Sequence, residues 1–568
     1  MEYRAYEAVE PLPAFDSYLT AEDRNHLAFL APEKVEEWTR AKIDELLNRV
    51  RSLYSVSNAA AFINRKLPPE VLMEVFSHLK PSFERPGQLN ILHVCRMWRH
   101  LLLRSTAFWV RVVGEFRDPT QIRPDGVDLF RTILQRTRKF PLTVALDFAN
   151  FQVAKTLVPH ASRIVSLTIT VSREGLDFVN GYLEREGMPL LERLDISHSN
   201  RGTSSSRHSL RLNRALFPRL RSLRHPIKTL DVASIDGQLL QLALVGCRCK
   251  LCFTMFRDRP EDQVIPSLTG MLERSTSLQT LELDRITESL ILRTTDDRTI
   301  FLPSLRLLRI YHNHASMLLT SLIIPNSCTV KLSNPYPDRN GSIRDLLPHD
   351  LSAFHQIAAA ERVCARVVAH SPRQSLQIFE AYTDGVKRFS LHFAAMDSGR
   401  YIPAEFRLLL HSMPCVRAIE FQEDARSMAV ALGNVTSGRC VCPQLDELDV
   451  QWLYWYDTGF KALKTDNEEL PPILPEHNST FRKWIQSARA HGPTVLATFC
   501  DYIRRMLLNR AAAGSHLKKL HVRIDRQAVL DVYVDKESWE PSVLRERMLA
   551  RLGSDFEGDL MVSFDEDM

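Results

Sequence analysis

Apolar residues fall into two regimes along this chain. Before about residue 120 they recur at helical spacing, and beyond about residue 140 they come as a short phrase, apolar-x-x-apolar-x-apolar. The first helical stretch opens at Pro32, where Val35, Trp38, Ile43, Leu46, Leu47, Val50 and Leu53 form one stripe with charge on the other faces. Glu33, Glu36 and Glu37 sit in its first turns and Arg49 and Arg51 near its end, which suits the helix dipole. This predicts an amphipathic helix over 32–62. It is read as laid against the rest of the chain; a short dimerising coiled coil is the other reading, but three heptads are barely present. Residues 1–31 lack periodicity and are expected to be a flexible tail.

A denser helical pattern runs from Leu67 to Trp109. Pro68 and Pro69 suit a helix start, where the missing N–H would be an orphan donor anyway. Val71, Leu72, Val75, Phe76 and Leu79 then share one side, and Lys80-Pro81 ends the run. After Pro86-Gly87, the residues Leu89, Leu92, Val94, Cys95, Trp98, Leu101 and Leu102 give a second apolar side. Ser105-Thr106 caps a last turn carrying Phe108 and Trp109. Three short helices in so few residues bury too little surface to be stable alone, so a partner surface is expected.

The phrases LPPEVLMEVFSHL, HVCRMW and FW resemble, in order and spacing, an F-box over residues 63–113. The connector Lys80–Gln88 is longer than is typical of that family. The resemblance implies docking on the Skp-type adaptor of a cullin–RING ubiquitin ligase. It nominates Leu67, Pro68, Leu72, Val75, Phe76, Leu79, Val94, Trp98 and Trp109 for adaptor binding, some of which must instead form the module's own core. The bland alternative is a helical hairpin packed on the domain that follows. A helix upstream of such a module also resembles the arrangement in many basidiomycete F-box proteins.

Residues 122–140 predict another helix, and Leu142–Phe148 alternates as a strand does. The recurring phrase begins at Ile164, Leu191, Ile227, Leu239, Leu278, Leu305, Val386, Val416, Leu445 and Leu517. The steps 164 to 191 and 278 to 305 are both 27 residues, and 386 to 416 to 445 gives 30 and 29. The gap 305 to 386 is three times 27, so two degenerate copies are expected there, one traced at Thr329–Leu332. This pattern resembles an irregular leucine-rich-repeat solenoid over 120–530, each phrase a short strand and each intervening stretch a return. Phe178–Arg185, Leu268–Arg274, Ile357–Val368 and Phe499–Asn509 fit helical returns. Cys247 and Asn313 stand where that repeat family places a turn-bonding Cys or Asn. A generic α/β domain is the alternative.

Interruptions of the array are candidate contact regions. Arg201–Ser209 is Ser-rich and Asn334–Gly341 is turn-rich. Trp452, Tyr454, Trp455 and Tyr456 open a long insertion and are candidate partner-binding anchors, with core packing as the plainer role. Residues 531–568 close the chain as a segment with an acidic tail, expected to be frayed.

Composition adds exclusions. Hydrophobic content is 45%, charged content 25% and net charge +5, which gives no dense basic patch for nucleic acid. Ten cysteines without framework spacing imply reduced thiols, hence cytoplasm or nucleus. No secretory leader or membrane span is read. Cys247, Cys249 and Cys252, even with Cys440 and Cys442, lack the paired spacing of a zinc site, and His312 with His314 is at most half of one. No phosphate loop, HExxH or GxSxG occurs, so no enzyme, metal or cofactor is expected. The fold class expected is α/β: an N-terminal all-α F-box preceded by a longer helix, then the solenoid. The function expected is substrate recognition for an SCF-type ubiquitin ligase, through an unknown target protein; a scaffold not coupled to ubiquitin transfer is the alternative.

Overall fold

A computed structural model describes residues 19–78, 90–122, 126–171, 173–198, 210–227, 230–235, 237–246, 268–284, 299–311, 315–334, 343–348, 350–351, 354–371, 374–396, 408–422, 425–436, 439–452, 499–525, 541–553 and 556–565. The chain divides into two compact units: residues 1–117 with 128–140, and 118–127 with 141–568.

The first unit is helical. It comprises α1 (Ala21–Ala28), α2 (Pro32–Ala60), α3 (Phe62–Lys66), α4 (Pro69–Ser77), α5 (Ile91–Val94), α6 (Arg96–Arg104), α7 (Thr106–Gly114) and most of α9 (Gly126–Arg136); α8 (Pro119–Ile122) belongs to the second unit. Part of the expected tail is therefore helix. Thr20 caps α1, its Oγ1 accepting from the Asp23 N–H at 3.1 Å and donating to the Asp23 carboxylate at 2.7 Å. α2 runs as the stripe predicts, yet none of its 29 residues is buried. Its contact with α1 uses only the start of that stripe and one polar residue: the rings of His26 and Trp38 lie 5.5 Å apart, and Lys42 Nζ reaches Asp23 at 2.8 Å. From Ile43 on the stripe is unpacked: Ile43, Leu46, Leu47, Val50 and Leu53 stay exposed.

The second unit is built on a fifteen-stranded sheet. In chain order the strands begin with β1 (Leu142–Ala149), β2 (Ile164–Val171), β3 (Arg193–His198), β4 (Ser222–Pro226), β5 (Gln241–Val245) and β6 (Thr280–Asp284). There follow β7 (Ile300–Phe301), β8 (Leu307–Tyr311), β9 (Leu322–Ile323), β10 (Thr329–Asn334), β11 (Arg362–Ser371), β12 (Gln374–Thr383) and β13 (Val386–Met396). The last are β14 (Ala418–Gln422), β15 (Val435–Thr436), β16 (Arg439–Cys440), β17 (Glu447–Trp452), β18 (Lys519–Asp525) and β19 (Asp559–Asp565). The sheet runs β1 to β6, then β8, β10, β13, β12, β11, β14, β17, β18 and β19; β7 pairs with β9 and β15 with β16 separately. Neighbours in the large sheet are parallel except at β13–β12 and β12–β11.

Strand order follows chain order except at β11 to β13, where the antiparallel pairs reverse it. Along β4, β5, β6, β8 and β14, buried and accessible positions alternate. The phrase residues form the buried side as ladders. Leu223, Leu242, Leu281, Leu308, Val330 and Phe389 stand opposite one another in successive strands, and all are buried. Two residues on, Leu244, Leu283, Ile310, Leu332 and Leu391 repeat the arrangement. Burial of such side chains contributes roughly 1.5–3 kcal/mol each, and a lone strand has nothing to bury them against.

The second unit differs from the sequence reading at four places. The phrase at Ile227 is not a strand; Val232–Ser234 is a short 3₁₀ turn, and β4 lies just upstream, with His225 in a third position where apolar residues stand elsewhere. Ile357–Val368 is mostly β11, because Val363, Ala365 and Val367 alternate along a strand rather than follow a helical face. The gap after Leu305 holds β10 and then an antiparallel excursion instead of two parallel copies. The acidic end includes a strand: β19 pairs with β18, and Val562 is buried. Leu268–Arg274 is helical as expected, and so are residues 173–186 and 499–512.

Cys440 and Cys442 are buried free thiols beside Arg510, and burial pushes Cys442 up to about 12. Cys247, Cys249, Cys252, His312, Asn313 and His314 lie outside the described residues. Among the described residues no cluster of His, Cys, Asp and Glu is arranged for a metal, and no helix is long and apolar enough to cross a membrane.

Candidate adaptor-docking surface

The helices α3 to α7 divide the nominated residues between an interior and an outer surface. Pro69 begins α4, where it costs no hydrogen bond. On that helix Leu72 and Phe76, four apart, turn inward and are 1% and 2% exposed. Val71 and Val75, each one residue earlier, lie about 100° round the helix and are 43% and 46% exposed. The interior is completed by Leu102 from α6 and by Phe108, Trp109, Val112 and Val113 from α7, all buried.

The expected second helix is broken. Cys95 stays extended between α5 and α6, and its Sγ accepts from the Trp98 backbone N–H at 3.4 Å. A second cap follows at Ser105, whose Oγ accepts from the Phe108 N–H at 3.2 Å. The break brings Trp98 over Phe76, with ring centroids 5.0 Å apart and an edge-on angle of 61°. Its indole Nε1–H donates to Asn64 Oδ1 at 2.7 Å. Asn64 Nδ2 in turn donates to the Asn58 carbonyl at 2.5 Å, and Asn58 Nδ2 to the Val94 carbonyl at 3.3 Å. These bonds fasten the C-terminal end of α2 and the short α3 to the α5–α6 junction.

Trp109 is held differently. Its ring meets Phe108 edge-on at 5.2 Å, and the Arg136 guanidinium lies 5.3 Å from its centroid. Its Nε1 is buried with no hydrogen-bond partner among the described residues.

Of the nominated set, then, Leu72, Phe76 and Trp109 are core, Trp98 and Leu67 are half-buried, and Pro68, Val75 and Val94 are exposed. Leu79 lies outside the described residues. Two exposed apolar residues not nominated, Val71 and Met97, belong to the same helices as these. Asn64 was also missed, since nothing in sequence marks an Asn as the partner of an indole 34 residues away. At the other candidate surface, Trp452 ends β17 opposite Ile524, while Tyr454, Trp455 and Tyr456 lie outside the described residues.

Residues 65–114, from the end of α3 to the end of α7, match the family described as F-box-like. No curated protein matches the chain. The class is thus a mixed α/β protein carrying an F-box-like domain ahead of a large sheet, and such a domain points to an adaptor role in SCF-type ubiquitin ligase complexes, where F-box domains typically bind the Skp-type adaptor.

Proposed function

We propose that this chain is a substrate-recognition subunit of an SCF-type ubiquitin ligase. Its F-box-like helices dock a Skp-type adaptor, and its sheet unit is an irregular leucine-rich-repeat solenoid that holds a target protein. The observation that carries the docking half is the match over residues 65–114 together with the division just described: Leu72, Phe76 and Trp109 close a core while Pro68, Val75 and Val94 stay outside it. The repeat reading is supported by parallel strands in chain order on either side of the β11–β13 excursion and by phrase residues that meet rung by rung. The chain supplies no chemistry of its own. Its contribution is proximity: a target held near a ubiquitin-charged enzyme reacts as if in one molecule.

The test is co-purification of adaptor and cullin with the full chain and with Val75→Asp. The expected result is capture by the first and loss by the second, at unchanged circular dichroism. Capture of the adaptor by neither rejects the docking half. Adaptor capture without ubiquitination of any bound protein leaves the scaffold reading.

A further inference from the structure

The face of the large sheet opposite the apolar ladders carries its charges in a pattern. On one wing, Arg224 lies 3.1 Å from Glu282 and 3.9 Å from Asp195, and Arg309 lies 3.5 Å from Glu282. On the other, Arg362 lies 2.8 Å from Glu420, and Arg523 lies 3.0 Å from Glu420 and 2.8 Å from Asp449. Each of these two clusters sets two carboxylates against two guanidiniums and is neutral.

The centre is not. Glu380 on β12 is buried, and its Oε1 takes both Lys387, at 2.5 Å, and Arg366, at 4.0 Å. The Tyr382 hydroxyl donates to its other oxygen at 3.1 Å. Burial alone would raise this carboxyl, but the hydrogen bonds from Lys387 and Tyr382 outweigh it and hold the group ionised. Lys331 on β10 stands opposite Ser390, which stands opposite Glu380, so it is two strands away, about 10 Å. It has no carboxylate partner among the described residues. Three cations thus stand around one carboxylate, and of the three only Lys387 and Arg366 reach it. Lys387 is turned to this face by a bulge: Ala381 pairs with Phe389 but Tyr382 pairs with Lys387. His392, in the same patch, is held below its ordinary value by burial, with Arg366, Lys387 and Lys331 adding to the effect and Glu380 opposing it.

We propose that this central patch, Lys331, Arg366 and Lys387 around Glu380, binds a short acidic segment of a partner protein. The proposal rests on the reading of the sheet unit as the partner-binding domain and adds the chemistry of the partner. The patch crosses β10, β13, β12 and β11, three strand spacings or about 14 Å, which is the span of roughly four extended residues. Carboxylate and phosphoryl groups share the required charge. A nucleic acid fits less well, because its continuous phosphates would run past the patch onto guanidiniums already paired with Glu282 on one wing and with Glu420 and Asp449 on the other.

The experiment is fluorescence anisotropy of the purified full chain with labelled peptides of equal length: Glu-Gly repeats, phosphoserine-Gly repeats and Lys-Gly repeats, with a single-stranded RNA of similar length as a fourth probe. The acidic peptides are expected to bind and the lysine peptide not to, with affinity falling as salt rises. The ratio of the two acidic peptides tells carboxylate from phosphoryl. Lys331→Gln/Arg366→Gln/Lys387→Gln should weaken binding about tenfold or more, while the wing variant Arg224→Gln changes it by less than about twofold. Lys331→Gln alone breaks no ion pair, keeps the fold, and should weaken binding about threefold. Equal binding of acidic and basic peptides, affinity unmoved by the triple variant, or tighter binding of the RNA each overturns the proposal. Adaptor capture, read on the same samples, scores the proposed function separately and is expected to be equal for all variants.

Discussion

The ring of Phe76 meets that of Trp98 edge-on, 5.0 Å between centroids, although one belongs to α4 and the other to α6. That contact shows which side of each helix is interior, and it separates two kinds of residue that share one apolar pattern. Phe76→Ala removes a buried aromatic and should cost about 3–5 kcal/mol, enough to unfold so small a module. Val75→Asp, one position earlier and 46% exposed, should change stability by less than about 0.5 kcal/mol. Hydrogen exchange over 90–114 checks both: lost protection in the first variant, wild-type protection in the second. Equal loss in the two would mean that Val75 is core after all.

The indole of Trp98 and the amide of Asn64 form a second test, independent of aromatic packing. Asn64→Ala leaves the half-buried Nε1–H without its 2.7 Å acceptor and removes one of the two bonds to the Asn58 carbonyl, at a cost of about 1–2 kcal/mol. Trp98→Phe removes the donor while keeping most of the ring. The double variant should cost clearly less than the sum of the two singles, because they break one shared bond. Urea denaturation followed by tryptophan fluorescence measures the cycle in the variants that keep Trp98, and circular dichroism measures it in all; strict additivity would show the bond to be energetically idle.

Arg510 is buried without an acidic partner among the described residues. It donates to the Val441 carbonyl at 2.7 Å, the Cys442 carbonyl at 2.9 Å and Ser515 Oγ at 2.8 Å, which ties the helix over 499–512 to the entry of β17. Cys442 there takes a left-handed φ of 48°. Arg510→Met keeps the volume but orphans these acceptors, and a loss of about 3 kcal/mol is expected. Arg510→Lys should recover only part of it, since a single ammonium does not span three acceptors as the guanidinium fork does. Faster hydrogen exchange in 439–452, graded Met above Lys above wild type, is the measurement.

These tests mark where sequence was sufficient and where it was not. In the first unit α2, α4, α6 and α7 follow from periodicity and from the Pro and Ser at their ends, whereas α1 lies in residues without periodicity. The break at Cys95 does not, because cysteine is not among the residues that ordinarily cap helices. Nor does periodicity divide Leu72 from Val75, which the pattern weights alike and only packing separates. In the second unit the phrases locate most strands because each strand buries its alternate residues on one shared side. β4 escaped because a histidine replaces the third apolar residue. The β12–β13 hairpin escaped although its signal is present: Asp384 and Gly385, both at positive φ of 52° and 71°, are the Asp-Gly pair that a tight two-residue turn requires. The central charge imbalance was invisible, since it joins residues of four strands whose neighbours in the sheet are set by pairing alone.

His225 converts its odd place in the apolar ladder into a pH dependence. It is wholly buried opposite Leu244, its Nδ1 lies 2.9 Å from the Pro226 carbonyl and its Nε2 has no partner among the described residues. Burial lowers it to about 4, against a partial rise from the bond to Pro226. The folded chain therefore takes up a proton later than the unfolded chain does as pH falls. Between about pH 6.5 and pH 4 the unfolded state binds more protons, so stability declines as pH drops, on the order of 3 kcal/mol over the window from this group. His160, lowered to about 4 by burial and then by Arg163, adds a decline of the same sign. Glu380 and Glu420 titrate below their ordinary range and leave the upper part of the window to the histidines. His392, also held below its ordinary value by burial, adds to the same slope. His225→Leu, which restores the residue type that flanks this position, should therefore remove about a third to a half of the slope between pH 6.5 and 5 without lowering stability at pH 7.5. Urea midpoints followed across that range measure it, and an unchanged slope would mean that His225 is solvated in the native state.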